Sequence, residues 1–250
     1  MHRASRLMHR FFVTGSWQVG DEVVLAEAQA HQISQVLRLR PQTPLVLLDN
    51  AGWAYEVALL QVDKRQVRGR VVSRTPAPGE PTTQLTLYQA LLKADKFEWV
   101  LQKGTELGVA RFVPLLSERS VVQEVSQNKL ARWERIITEA AEQSGRGRIP
   151  QLLPPTSFTD ALTTLPPHTL ALIPYEQEKT TSLKTSLAAS PPHPLALFIG
   201  PEGGWSEAEV TLAKRHGLTA VTLGPRILRA ETAAVVAAAL VLHELGEMEF

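Results

Sequence analysis

At 250 residues the chain exceeds the usual single-domain size of roughly 100–200 residues, so two domains are the first expectation. A composition of 44% hydrophobic and 20% charged residues supplies ample core and excludes global disorder, and no apolar run approaches the roughly 18–20 residues that span a bilayer. The absence of cysteine excludes disulfides, thiolate metal sites and any cysteine nucleophile.

The formal charge of +1 conceals an asymmetry. Residues 1–80 carry ten Lys/Arg against seven Asp/Glu, and the remainder sixteen against eighteen. A positive amino-terminal part suits a phosphate-rich partner, although an excess of this size is also common on neutral surfaces. The first seven residues lack a following apolar run and a cleavage site, so no secretory signal is predicted and a cytoplasmic protein is expected.

In chain order, alternating apolar runs predict short strands at 10–13, 22–25, 45–49, 53–62 and 66–73, with one helix over 28–37 that sets Ile33, Val36 and Leu37 on a single face. Asp49-Asn50-Ala51-Gly52 supplies the turn chemistry between two of these strands. The pattern is that of a small β-barrel, assigned to residues 1–75. Three prolines and a glycine over 76–83 break all periodicity and predict a linker. From 84 to 250, strand-like runs at 85–90, 112–116, 169–173, 195–199 and 220–223 alternate with helical ones, which predicts an α/β domain around a largely parallel sheet.

The helices of this second part are well marked. Phe97, Val100, Leu101 and Leu107 keep one stripe ending at Gly108, and Leu130, Trp133, Ile136, Ile137, Ala140 and Ala141 keep another ending at Gly145. Ser206-Glu-Ala-Glu209 is a capping box. Residues 231–245 are apolar on nearly every side, which predicts a buried helix, partly against a second subunit.

Ligands of open α/β sheets bind beyond the carboxyl ends of strands, which here are the loops after residues 173, 199 and 223. Residues 200–204, Gly-Pro-Glu-Gly-Gly, join a buried strand to a capped helix; they are either a tight turn or a backbone cradle at a helix N-terminus. Glu202 is either a ligand contact or a solvated carboxylate. Arg226 and Arg229 either grip phosphate and developing negative charge or pair with Glu231 or Glu202. Glu231 and Thr232 also suit the first turn of the last helix. Nucleotide-triphosphate, dinucleotide, zinc-protease and serine-hydrolase motifs are absent, the seven histidines lack ligand spacing, and no metal is predicted.

Phe198-Ile-Gly-Pro-Glu-Gly-Gly-Trp-Ser-Glu-Ala-Glu209 and Leu223-Gly-Pro-Arg-Ile-Leu-Arg-Ala-Glu-Thr-Ala233 together closely resemble the RsmE family of 16S ribosomal RNA uridine N3-methyltransferases, in the SPOUT superfamily. Further matches are His9-Arg-Phe-Phe12, His31 with Val36-Leu-Arg-Leu39, Gln102-Lys-Gly-Thr-Glu-Leu-Gly108, Glu118-Arg-Ser120 and Glu139-Ala-Ala-Glu-Gln-Ser-Gly-Arg146. The resemblance runs from about residue 8 to 246, which makes residues 1–7 look like an extension. It implies a PUA-like RNA-binding domain, a SPOUT α/β domain with a deep trefoil knot, a homodimer, and S-adenosylmethionine bound in the knot chiefly to backbone.

By motif match the donor contacts are Leu172, Ile199, Gly200, Gly203, Leu223, Ile227, Leu228 and Thr232. Trp205 stands where the family more often has Phe, and Gly104 where Ala is frequent. Arg229 is expected to steady negative charge on the base, with Glu202 or Glu231 orienting it, and Arg10, Arg38 and Arg40 are expected to contact 16S ribosomal RNA or the small ribosomal subunit. The competing expectations are a SPOUT methyltransferase acting on another RNA such as transfer RNA, and a non-catalytic RNA-binding protein with a degenerate donor pocket.

Overall fold

The structure, a computed structural model, describes residues 8–77, 79–188 and 194–249; the expectation that residues 1–7 form an extension lies outside them. The chain forms two compact units: one runs to Glu80 and takes in Ala141–Ile149, the other comprises Pro81–Ala140 and the chain from Pro150 onward. Among the described residues, no helix is long and apolar enough to cross a membrane, and no cluster of His, Asp or Glu is arranged to hold a metal.

The first unit is a curled, half-barrel sheet of β1 (Arg10–Phe12), β2 (Glu22–Ala26), β3 (Pro44–Leu48), β4 (Trp53–Val62) and β5 (Gln66–Pro76), in the order β1-β3-β4-β5-β2. Its pairs are antiparallel except β1 with β3. Inward positions alternate along the strands, so that Val23, Leu25, Leu45, Leu47, Val57, Leu59, Val67 and Val71 meet in one core. The predicted helix divides into α1 (Glu27–His31) and a wider π turn, Gln32–Val36, closed by the Leu37 N–H donating to the Gln32 carbonyl at 2.9 Å. Ile33 is wholly buried, whereas Val36 is exposed, because the wider turn rotates it off the apolar face.

The segment Ala141–Ile149 is stitched into this unit by polar groups. The Phe12 N–H donates to Glu142 Oε1 at 2.9 Å, and Arg146 forks onto Glu80, with Nε at 3.1 Å and Nη2 at 3.0 Å. Glu80 Oε1 also accepts from the Gly147 and Arg148 N–H groups, and Asn50 Oδ1 accepts from the Ile149 N–H.

The second unit runs β6 (Leu85–Ala90), α2 (Lys96–Leu107), β7 (Arg111–Leu116), α3 (Gln127–Ser144), β8 (Gln151–Leu152), β9 (Thr156–Ser157), α4 (Phe158–Thr163), β10 (Leu170–Pro174), α5 (Leu183–Ala188), β11 (Leu195–Ile199), α6 (Glu207–Arg215), β12 (Thr219–Val221) and α7 (Ala230–Glu244). The last turn of α3 belongs to the segment that returns to the first unit. All pairings are parallel in the order β12-β10-β11-β6-β7-β8, with β9 also beside β7.

Central strands of parallel sheets are covered on both faces, which is why β11 reads as the unbroken apolar run Leu-Ala-Leu-Phe-Ile and all five residues are buried. On one face Tyr88 stacks on Phe198 at 4.3 Å, with Phe158 against Phe198 and Trp205. On α2 and α3, Phe97 stacks on Trp133 at 4.3 Å. The sequence pattern does not flag β8, β9, α4 or α5, since two-residue strands and six-residue helices are too short to show a period.

Candidate functional site

The carboxyl ends of β10, β11 and β12 open into one cavity of about 480 Å³, within the range of small-molecule sites. Its walls come from residues 174–176 after β10, residues 200–205 after β11, residues 222–231 after β12, Ala233 on α7, and Lys96 at the start of α2. The doubly wound order makes these loops neighbours: β10 lies between β11 and β12, so distant parts of the sequence emerge side by side.

The loop after β11 is fixed from both ends. The Ser206 Oγ accepts from the Glu209 N–H at 3.2 Å while Glu209 Oε2 accepts from the Ser206 N–H at 2.9 Å, completing the predicted capping box. Glu209 Oε1 also accepts from the Glu118 N–H at 2.9 Å, and Arg119 donates to the carbonyls of Gly203 and Trp205 at 3.1 and 3.2 Å. The Glu118-Arg-Ser120 motif thus braces this loop. Gly204 has a φ of +68°, and a Cβ on Gly203 would stand 3.3 Å from the Arg119 Cβ, so the loop follows a path that side chains would crowd.

Of the predicted donor contacts, Gly200, Gly203, Leu223, Ile227 and Leu228 line the cavity. Leu172 and Ile199 are buried within β10 and β11 instead, and Thr232 lies on the first turn of α7 between the lining residues Glu231 and Ala233. Ile227 is 88% exposed. An aliphatic side chain left in water beside a cavity is available to cover a ligand.

The predicted catalytic residues Arg229, Glu202 and Glu231 all line the same cavity. Of the two alternatives open for the arginines, pairing with these carboxylates is not the one seen: the cation near both is Lys96, whose Nζ lies 3.3 Å from Glu202 Oε1 and 4.0 Å from Glu231 Oε2. Among the described residues neither Arg226 nor Arg229 forms an ion pair with them. Partial burial pushes the Glu202 carboxyl up, but donation from its own N–H, the Lys93 N–H and Lys96 outweighs this and holds it below the usual carboxylate range. Glu202 is therefore a paired carboxylate at the exposed lip of the cavity.

Glu231 differs, for its Oε2 is buried without a hydrogen-bond partner among the described residues. A buried polar atom left unpaired costs about 1–3 kcal/mol, more when charged, so this oxygen marks a place where a donor group is missing. Glu231 also sits in the first turn of α7.

Tyr175 lines the cavity from the expected loop after residue 173, and Lys96 and Trp205 line it from outside the three expected loops. Lys96 opens the helix after β6, another parallel strand, so the rule that points to the three later strand ends points to it as well. Burial raises the Tyr175 phenol, and Glu176 and Glu207 raise it further against Arg119, so it stays a neutral donor. The predicted RNA contacts Arg10, Arg38 and Arg40 all belong to the first unit. Arg38 and Arg40 are exposed, whereas Arg10 is half-buried with its guanidinium against Gly145.

A second cavity, of about 520 Å³, lies at the amino ends of β6, β7 and β11. It is lined mainly by prolines, threonines and aliphatic residues, with Arg111 as its one charged group. Size does not separate the two; the glycine-rich backbone and the convergent charges of the first do.

Residues 79–242 match the model of an RNA methyltransferase domain. The chain is 37% identical over 235 residues to a ribosomal RNA small subunit methyltransferase E from Synechocystis sp., covering 93% of the chain and 77% of that relative. Among solved structures, it is similar to a ribosomal RNA small subunit methyltransferase E from Neisseria gonorrhoeae bound to S-adenosylmethionine, at TM-score 0.87 and 34% identity, covering 94% of this chain and 97% of that one. A putative methyltransferase from Legionella pneumophila in complex with the same cofactor is similar at TM-score 0.84 and 33% identity, with the same coverage of 94% and 97%.

Proposed function

The chain belongs to the ribosomal RNA small subunit methyltransferase E family, and from that premise we propose that it methylates N3 of a uridine in 16S ribosomal RNA with S-adenosylmethionine as donor. The observation that carries this reading is the cavity at the carboxyl ends of β10 to β12, where a braced glycine-rich loop, an exposed aliphatic residue and an unpaired carboxylate converge in one place. A non-catalytic RNA-binding protein would have no use for such a site.

The cavity fits the donor. Backbone that side chains would crowd at Gly203 and aliphatic cover from Leu223, Ile227 and Leu228 are what a molecule with a flat adenosine body requires. Gly200, Gly203, Leu223, Ile227, Leu228 and Thr232 would hold it, with Leu172 and Ile199 packed behind. When bound, S-adenosylmethionine supplies an electrophilic sulfonium methyl.

The protein's own work is then alignment and charge. Uridine N3 carries an imide proton and becomes nucleophilic only as that proton leaves, so residues that receive the proton and steady the anion lower the barrier. Arg229 is assigned to the developing charge on the base or its phosphate. N3 lies on the pairing edge, so the target must be unpaired or flipped when it reacts. Arg38 and Arg40, with Arg10, are assigned to the RNA backbone in the PUA-like unit.

A homodimer is the proposed assembly. Residues Leu240 and Leu245, 38% and 36% exposed at the end of α7, leave an apolar face that a second copy would cover. Its setting is assigned to the cytoplasm, where ribosomal subunits are made. Mass spectrometry of 16S RNA from cells with and without the gene tests the main reading: loss of one N3-methyluridine is expected. An unchanged 16S RNA with a methyl group missing from transfer RNA would overturn it.

A further inference from the structure

Resting on the assignment of uridine N3 as the methyl acceptor, we infer that Glu231 and Lys96 act as a couple on the pairing edge of the target base: Glu231 receives the N3 proton, and Lys96 faces the adjacent carbonyl oxygen. Three charged side chains share this end of the cavity, and their engagements differ. Glu202 Oε1 already accepts from the Lys93 N–H at 3.1 Å and from Lys96 at 3.3 Å. Glu231 Oε2, buried in the cavity wall, accepts from nothing among the described residues, since Lys96 at 4.0 Å is too far for a hydrogen bond. The carboxylate that remains available to a ligand is that of Glu231.

The spacing matches the chemistry of uridine. Its pairing edge presents an N–H donor at N3 next to a carbonyl acceptor at C4, and a free carboxylate oxygen 4.0 Å from an ammonium presents an acceptor next to a donor. Cytidine reverses both groups, with a bare nitrogen at position 3 and an amino group at position 4. Each would then meet its own kind, and a site built to hydrogen-bond one edge rejects the other by leaving partly buried polar groups unpaired. Lys96 has three N–H donors and spends one on Glu202. Its side chain is 35% exposed, so a base entering from solvent can reach it.

In the step itself the N3–H bond breaks, the proton passes to Glu231 Oε2, and the electron pair stays on the ring, shared among N3, O2 and O4. Lys96 opposes the charge that appears on O4. Glu202 keeps Lys96 in place.

The test uses the full chain and small-subunit RNA carrying either uridine or 5-fluorouridine, whose imide ionises at lower pH. The wild-type product is identified first; a methyl group anywhere but uridine N3 overturns the acceptor assignment and the couple with it. With N3 confirmed, single-turnover rates of Glu231→Gln and Lys96→Met are followed against pH at saturating RNA and donor. Losses of about 10²–10⁴-fold near neutrality are expected, with a rate for Glu231→Gln that climbs as pH rises and most of the loss restored by 5-fluorouridine. In a readout independent of turnover, the fluorine resonance of the bound RNA is expected to titrate at higher pH with Lys96→Met than with wild type. Equal losses for both bases with an unchanged pH profile, or a fluorine titration that Lys96→Met does not move, would overturn the couple while leaving the acceptor assignment intact. A Glu231→Gln protein that does not fold leaves the Lys96→Met titration to decide.

Discussion

Two arginine-bearing stretches of this chain use their charges in opposite ways. In Ala141–Ile149 the polar groups turn inward: Arg146 is held by Glu80, Glu142 caps a β1 amide, and consecutive N–H groups share one carboxylate. In residues 222–231, Arg226 and Arg229 make no ion pair among the described residues, Ile227 stands in water and Glu231 keeps an unpaired oxygen. Both stretches belong to motifs, so a motif by itself does not distinguish scaffold from site. The state of the hydrogen bonds does, because a fold satisfies the charges it uses and leaves unpaired those it offers to a ligand.

Arg146→Ala should break the first stretch most severely. It removes a two-pronged partner from a nearly buried ion pair, with side-chain exposures of 5% and 20%, and leaves Glu80 uncompensated. A loss of about 3–5 kcal/mol in urea unfolding is expected, with donor binding retained wherever the second unit stays folded. Stability unchanged within 1 kcal/mol would mean the segment is not held as the geometry implies.

Arg229→Ala should do the reverse. Unfolding is expected to be almost unaffected while single-turnover rate at saturating RNA falls about 10²–10³-fold, with donor affinity nearly intact. Normal turnover once RNA is saturating would make Arg229 a docking residue. The contrast with Arg38→Ala sharpens this: a phosphate contact should weaken RNA binding and flatten its dependence on salt, without slowing the saturated reaction.

Gly203→Val probes the braced loop at smaller cost. The added Cβ would press on Arg119 at 3.3 Å and disturb its bonds to the Gly203 and Trp205 carbonyls, so donor affinity measured by calorimetry should drop about tenfold. Unchanged affinity would move the donor away from this loop.

The smallest effect concerns acid. Glu178, in the loop after β10, is held down to about 2 by the Thr180 hydroxyl and the N–H groups of Thr181 and Thr180. A carboxyl depressed below its ordinary 4.5 contributes order to the loop above that pH and loses it as pH falls toward 2. Protection of the Thr180 and Thr181 amides, taken relative to their intrinsic exchange rate at each pH, should therefore fall below pH 4.5 with the rest of the fold unaffected. Equal protection factors at pH 6 and pH 3 would show that the loop does not depend on this carboxylate.

The sequence alone determined the two-part division of structure types, the strands with a clear period, the capping box at Ser206 and the loops at the carboxyl ends of the later strands. These are local: alternation, caps and turn residues act within a few positions along the chain. Only the tertiary structure decided which charges meet. Lys96 and Glu231 are 135 positions apart and meet because parallel pairing sets β6 beside β11 and β11 beside β10, bringing α2 and the last loop to one edge. The return of Ala141–Ile149 to the first unit has the same origin, since its anchors Phe12, Asn50 and Glu80 lie far from it in sequence and carry no local sign of that pairing. Arg226 and Arg229 look like partners for Glu202 and Glu231 in the sequence because they are near in number. Strand order, which no local pattern encodes, gave that place to a lysine from elsewhere.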